Sequence, residues 1–136
     1  MKKRMIFGLL AVLWLGFIFY NSLQDAAASN EMSNGLLEAL HLPQTLQHLV
    51  RKLAHLFGFM LLGVLVSGAF CTDKKVLIPQ ALLCLLLCAC ADETLQLFSL
   101  GRSSELRDVW IDFSGATIGT LVSSLILPKL KFTIEK

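Results

Sequence analysis

An all-α fold, a four-helix transmembrane bundle with both termini in the cytoplasm, is what this chain predicts, and three observations carry the prediction. The first is composition. Hydrophobic residues make up 55% of the 136 residues and charged ones 16%, and the mean hydropathy is +0.68. A soluble domain of this size needs more polar surface to stay dispersed. The second is length: stretches at about residues 5–23, 50–70, 76–98 and 109–127 each approach the roughly 20 apolar residues that cross a bilayer core. The third is the placement of cations. Lys2, Lys3, Arg4, Lys74, Lys75, Lys129, Lys131 and Lys136 fall at one end of such a bundle, and Arg51, Lys52, Arg102 and Arg107 at the other. The majority side is cytoplasmic. A chain this short has room for a single domain over residues 1–136.

Each element has its local reason. The basic start through Arg4 and the apolar run from Met5 to Tyr20 have the look of a signal peptide, with Ala26, Ala27 and Ala28 offering a cleavage site. The run is long for that purpose, however, and Asn21, Ser22, Gln24 and Asp25 intervene before the alanines. A retained first helix is the better reading. Residues 26–42 read as a polar connection with a short amphipathic piece, whose Leu36, Leu37, Leu40 and Leu42 would rest at the membrane surface. Pro43 suits the first turn of the second helix, which extends to Phe70 and is lipid-like from Leu53 onward. Residues 71–75 form a tight turn carrying Asp73, Lys74 and Lys75. In the third span Pro79 falls in the first turn, where a missing N–H costs nothing. Gly101 is the turn residue of the next loop, and Pro128 with Lys129 and Lys131 stops the fourth span. Trp14, Tyr20 and Trp110 read as interface anchors.

A formal charge of +2 is too small to point to nucleic acid; the partner this chain implies is the lipid bilayer. Cys71, Cys84, Cys88 and Cys90 form no C-x-x-C pair and have no neighbouring His, so they read as buried, inert thiols. His41 and His48 read as solvated or snorkelling side chains. No cofactor follows from the sequence.

The ionisable residues that remain are concentrated at one depth. At 1.5 Å per residue, His55 stands roughly 22 Å above Phe70, Glu93 roughly 25 Å above Val76 and Asp112 roughly 22 Å above Leu127. Counting up the first span from Ile6 arrives at Asn21. Lipid-facing polar residues have no reason to share a level, whereas residues that meet inside a bundle do. Helical spacing agrees: His48, Arg51, Lys52 and His55 share a stripe, Glu93 and Gln96 share a face with Asp92 beside them, and Asp108, Asp112, Gly115 and Gly119 share another stripe. The two glycines would let a neighbouring helix approach closely beneath the carboxylates.

Two accounts of this layer compete. It could be a buried ion network, in which Arg51 and Arg102 neutralise Asp92, Glu93 and Asp112 and fix the helix register. Alternatively it is a ligand site on the outer face, formed by Arg51, Lys52, His55, Asp92, Glu93, Gln96, Arg102, Asp108 and Asp112. Guanidinium groups match the oxygens of phosphate or carboxylate, and crowded carboxylates supply an acid or base. Glu93, His55, Asp92 and Asp112 are then the candidates for any catalytic step. Asp92, Glu93 and Asp112 are also of the type that holds a hard divalent ion, but no metal signature is present and no metal site is assigned.

With these residues in view, the chain resembles the VanZ-like family of small bacterial membrane proteins, from Trp14 to about Gly119. The resemblance is carried by Trp14, Ser22 and Gln24, by Arg51-Lys52-Leu53-Ala54-His55, by Asp92-Glu93-x-x-Gln96-x-Phe98-x-x-Gly101-Arg102-Ser103, and by Asp108-Val109-x-x-Asp112-x-x-Gly115-x-x-x-Gly119. It departs where Gly58-Phe59 replaces an acidic-aromatic pair and where Leu100 replaces a proline; the position of Asp112 is commonly Asn or Asp. The resemblance implies a cell-envelope protein linked to glycopeptide tolerance, chiefly low-level teicoplanin resistance, and implies no reaction. Three functions follow as expectations. First comes an outward-facing pocket that engages an anionic lipid or lipid-linked wall component, then a structural or partner-binding subunit. Last is an enzyme acting on a phosphate- or acyl-bearing lipid, with Glu93 or His55 as base and Arg102 as anion clamp.

Overall fold

A computed structural model describes residues 2–72, 75–101 and 105–129. The expectations for Asp73, Lys74, Arg102, Ser103, Lys131 and Lys136 therefore concern positions outside the described residues. The protein is all-helical, with α1 at Lys2–Ser22, α2 at Ala26–Ala39, a 3-10 turn at Gln44–Leu46, α3 at Gln47–Ala69, α4 at Ile78–Gln96 and α5 at Leu106–Ile126. Helices α1, α3, α4 and α5 are each long and apolar enough to cross a membrane.

The surface explains why. Leu9, Leu13, Leu83, Leu87 and Leu125 are each more than three-fifths exposed. Apolar surface on that scale needs lipid around it. Three hydroxyls on these helices satisfy themselves locally: Thr94, Ser114 and Thr117 each donate to the carbonyl four residues back. The interior is built from Phe59, Leu62 and Val66 of α3, Ala81, Leu85 and Ala89 of α4, and Ala116 of α5.

The closest pairing is α3 against α5, and glycines set it. A Cβ on Gly115 would collide with the Leu56 carbonyl, one on Gly119 with the Met60 carbonyl, and one on Gly63 with the Ala116 carbonyl. The Gly115–Gly119 stripe therefore does bring a neighbour close, as its spacing suggested. At the far end Arg4 Nε donates to the Ala69 carbonyl at 3.0 Å, placing a cation at the C-terminus of α3 where the helix dipole favours it.

Five features differ from the sequence reading. The polar connection is a 14-residue helix, α2. Its Leu37 is fully buried instead of resting at the membrane surface. His41, at φ 53, closes it: its N–H reaches the Glu38 carbonyl and that of Leu42 reaches Leu37, the double bond of a Schellman ending usually given to glycine. Pro43 stands ahead of the 3-10 turn, not inside a helix. Trp14 is no interface anchor, because its Nε1 donates to the Gly58 carbonyl at 2.9 Å inside the bundle; Tyr20 and Trp110 are well exposed, as anchors are. Among the free cysteines Cys71 is buried, but Cys90 is exposed on α4.

The α3–α5 contact yields the first prediction. Gly119→Ala forces two backbones apart and destabilises the bundle by about 1–3 kcal/mol relative to Gly16→Ala, where no atom lies within 4 Å of the added methyl. Unfolding of the two variants in detergent measures the difference, and both share the same gain in helix propensity.

Candidate functional site

The polar residues gather at the end of the bundle formed by the last turn of α1, the first turns of α3 and α5, and the last turns of α4. Helical geometry does most of the work. The step of four residues from Asp108 to Asp112 makes about one turn, so both carboxylates face α3. Lys52 Nζ meets Asp108 Oδ1 at 3.0 Å. One turn deeper, His55 Nδ1 lies 3.5 Å from Asp112 Oδ1 and 3.6 Å from Asp92 Oδ2.

Depth separates these two layers energetically. The Lys52 and Asp108 side chains are 37% and 28% exposed, and a pair so open to solvent contributes about 1 kcal/mol at most. Asp92 and Asp112 are fully buried. Beyond His55 beside Asp112 and Ser22 beside Asp92, Asp112 Oδ2 and Asp92 Oδ1 make no close hydrogen bond with the described residues. Asp92 Oδ2 accepts one from Gln96 Nε2 at 3.3 Å, a single helical turn away. Isolated carboxylates are costly away from water, so this pair demands a positive partner. The His55 imidazole, positive when protonated, stands at ion-pair distance from both.

Above the carboxylates is a cleft of about 440 Å³ lined by Asn30, Gln47, His48, Arg51, Lys52, His55, Gln96, Glu105, Asp108 and Asp112, among others. Helix α2 makes one wall, held by Gln47 Nε2 donating to the Asn30 carbonyl at 3.2 Å. The rim is stapled to the α4–α5 loop. Ala26 N–H reaches the Leu100 carbonyl at 3.0 Å, Leu100 N–H reaches Asp25 Oδ1 at 3.2 Å, and Ser99 Oγ donates to the Ser22 carbonyl at 2.9 Å. Gly101, at φ 74, turns the loop in a conformation that glycine adopts without strain.

The sequence candidates thus divide. His55, Asp92 and Asp112 come together, with Gln96 supporting Asp92, and Arg51, Lys52 and Asp108 line the cleft above. Glu93, buried at 4% exposure, does not line the cleft: its Oε1 accepts the N–H of Glu105 at the start of α5. Arg51 does not neutralise the carboxylates, since its Nη2 lies 3.4 Å from His48 Nδ1. Arg102 lies outside the described residues. From α1 the residue at this level is the buried Ser22; Asn21 Nδ2 folds back on the Phe17 carbonyl. Asn30 and Gln47 were missed because the wall they form depends on α2 being a helix; Glu105 was missed because its place is set by the hold of Glu93 on the start of α5. The two consecutive leucines of α2 followed by Pro43 were the available signal for the wall.

A second cavity opens to the side, an apolar groove of about 650 Å³ between α1, α2 and α3. Trp14, Phe17, Met32, Leu36, Phe57 and Leu61 are among the residues that line it, and it reaches Arg51 and His55 at its polar end. The two cavities share those two residues.

Fold and site together define a multi-pass α-helical membrane protein with a polar cleft at one end. The sequence profile of the VanZ/LLP1 family matches residues 7–127, and the chain belongs to that family. No curated protein and no solved structure matches it.

Glu93 gives the second prediction. Glu93→Ala leaves the Glu105 N–H without its acceptor and lowers stability by about 1–2 kcal/mol. Glu93→Gln keeps an oxygen there and costs less. Thermal unfolding of both in detergent checks the order.

Proposed function

We propose that the protein is a multi-pass protein of the bacterial cytoplasmic membrane whose cleft faces outward and engages an anionic lipid or lipid-linked wall component, and that it thereby contributes to tolerance of glycopeptides such as teicoplanin. The observation that carries this is the meeting of two unlike cavities at Arg51 and His55. A polar cleft beside an apolar groove matches a molecule with a charged head and a hydrocarbon tail. Arg51 and Lys52 favour a phosphate head, since cationic donors pair strongly with its oxygens. The outward orientation is supported by the cations at the opposite end, where Lys3, Arg4, Lys75 and Lys129 lie. The teicoplanin link rests on family membership.

A purely structural role has support of its own, in the Glu93–Glu105 cap and the Lys52–Asp108 pair. Neither explains buried carboxylates set below an open cleft. In an enzymatic version the base would be His55, because Glu93 is engaged with backbone away from the cleft.

Native mass spectrometry of the detergent-purified protein tests the lipid reading with a polyprenyl phosphate and the matching polyprenol. The phosphate is retained about tenfold better, equivalent to about 1.4 kcal/mol, and Arg51→Ala removes the preference. In cells carrying equal amounts of protein, Arg51→Ala raises teicoplanin susceptibility. Equal retention of phosphate and alcohol contradicts the proposal.

A further inference from the structure

Three helices each contribute one ligating atom to a single point. His55 Nδ1 from α3, an Asp92 oxygen from α4 and an Asp112 oxygen from α5 all lie within 4.8 Å of one another. The separations from His55, 3.5 Å and 3.6 Å, are long for charge-assisted hydrogen bonds, which run at about 2.7–2.9 Å. They are close to the edge of a tetrahedron: bonds of about 2.05 Å to nitrogen and oxygen put neighbouring ligands about 3.3 Å apart. The two edges from His55 suit ligands around a common centre, and the third, between Asp92 and Asp112, lies within 4.8 Å.

The carboxylates point the same way. Both are fully buried; Asp112 has His55 as its polar neighbour and Asp92 has Ser22, His55 and Gln96, and Asp112 Oδ2 and Asp92 Oδ1 make no close hydrogen bond with the described residues. Two buried carboxyl groups face one imidazole, which carries at most one positive charge when both are ionised. A dication balances both. Gln96, holding Asp92 Oδ2 at 3.3 Å, stands where a supporting group orients a ligating carboxylate. His55, Gln96 and Asp112 also border the polar cleft, so a cation held by three protein atoms keeps one face open to it.

We propose that His55, Asp92 and Asp112 bind one first-row divalent cation, with its open coordination position directed into the cleft to take a phosphate oxygen. One imidazole and two carboxylates suit Mn²⁺ or Zn²⁺, and three protein ligands with a free position is the arrangement of reactive rather than purely structural sites. This revises the sequence reading, which assigned no metal and grouped Asp92 with Glu93; Glu93 is spoken for by Glu105 and His55 takes its place. The clause about phosphate rests on the lipid reading above, whereas the cation site does not.

The test uses the full chain in detergent, stripped with EDTA and titrated with Mn²⁺ while electron paramagnetic resonance follows free and bound ion. The folded native protein binds one Mn²⁺ per chain, the bound ion shows ¹⁴N coupling from His55, and Zn²⁺ displaces it. Asp112→Asn weakens binding by about 100-fold or more, while Glu31→Gln on the exposed face of α2 leaves it unchanged. Should Asp112→Asn fail to fold, the ¹⁴N coupling in the native protein decides alone. Absence of stoichiometric Mn²⁺ or Zn²⁺ binding overturns the site, and bound Mn²⁺ without ¹⁴N coupling overturns this ligand set. Retention of polyprenyl phosphate is then compared with Mn²⁺ and with EDTA. Loss of retention in EDTA supports the phosphate clause, and equal retention overturns it. Metal binding without any lipid retention leaves the site standing and sinks the lipid reading instead.

Discussion

The cost of keeping Asp92 and Asp112 out of water is the constraint on which the rest of this protein depends. Both are fully buried on helices long enough to span a bilayer. A carboxylate so placed is held by a partner or it destabilises the fold. His55 approaches both, and its position is fixed by the backbone contact of α3 with α5. The absence of a side chain at Gly63, Gly115 and Gly119 lets these two helices approach until carbonyls face the glycines. The small-residue stripe is therefore what brings His55 and Asp112 into one cluster. The packing of the lipid-facing bundle and the chemistry of its polar end are a single design.

Around this core the short elements give the cleft its shape. Helix α2 leans on the bundle through Leu37 and walls the cleft with Asn30. The bonds from Leu100 and Ser99 to Asp25 and Ser22 tie its near end to the α4–α5 loop. Every one of these ties uses a backbone group, and backbone groups at this level need partners as much as side chains do. The tethers satisfy them and leave the side chains of Arg51 and His48 directed at the cleft.

Much of this was legible in the sequence because the bilayer imposes a ruler. Helix length and rise put His55, Glu93 and Asp112 at a common depth before any contact was known, and the four-residue spacing of Asp108 and Asp112 aimed both at one neighbour. Depth and face are one-dimensional properties of a helix. Which residue meets which is not. Asp92 and Glu93 are adjacent in sequence and share a level, yet a rotation of about 100° per residue sends one to His55 and the other to the start of α5. Asn21 and Ser22 divided in the same way, and the buried one is Ser22. The α2 wall was illegible for another reason: a polar 14-residue segment becomes a helix here through a buried Leu37 and a left-handed His41 ending, and both are tertiary effects. Trp14 was misjudged because an indole suits an interface anchor and an interior hydrogen bond equally well, and the Gly58 carbonyl decides between them.

If the buried carboxylates exist for a ligand and not for the fold, the protein without that ligand carries an excess of buried negative charge. The melting temperature of Asp112→Asn, measured against the native protein in EDTA and without added lipid, tests this directly. An amide has nearly the same shape and removes one ionisable carboxyl from a site where two face a single imidazole. A melting temperature equal to or above that of the native protein is the expected result, since sites kept for function commonly sacrifice stability. A fall of several degrees would mean that the His55–Asp112 interaction holds the bundle together, and the cluster would then be an internal brace.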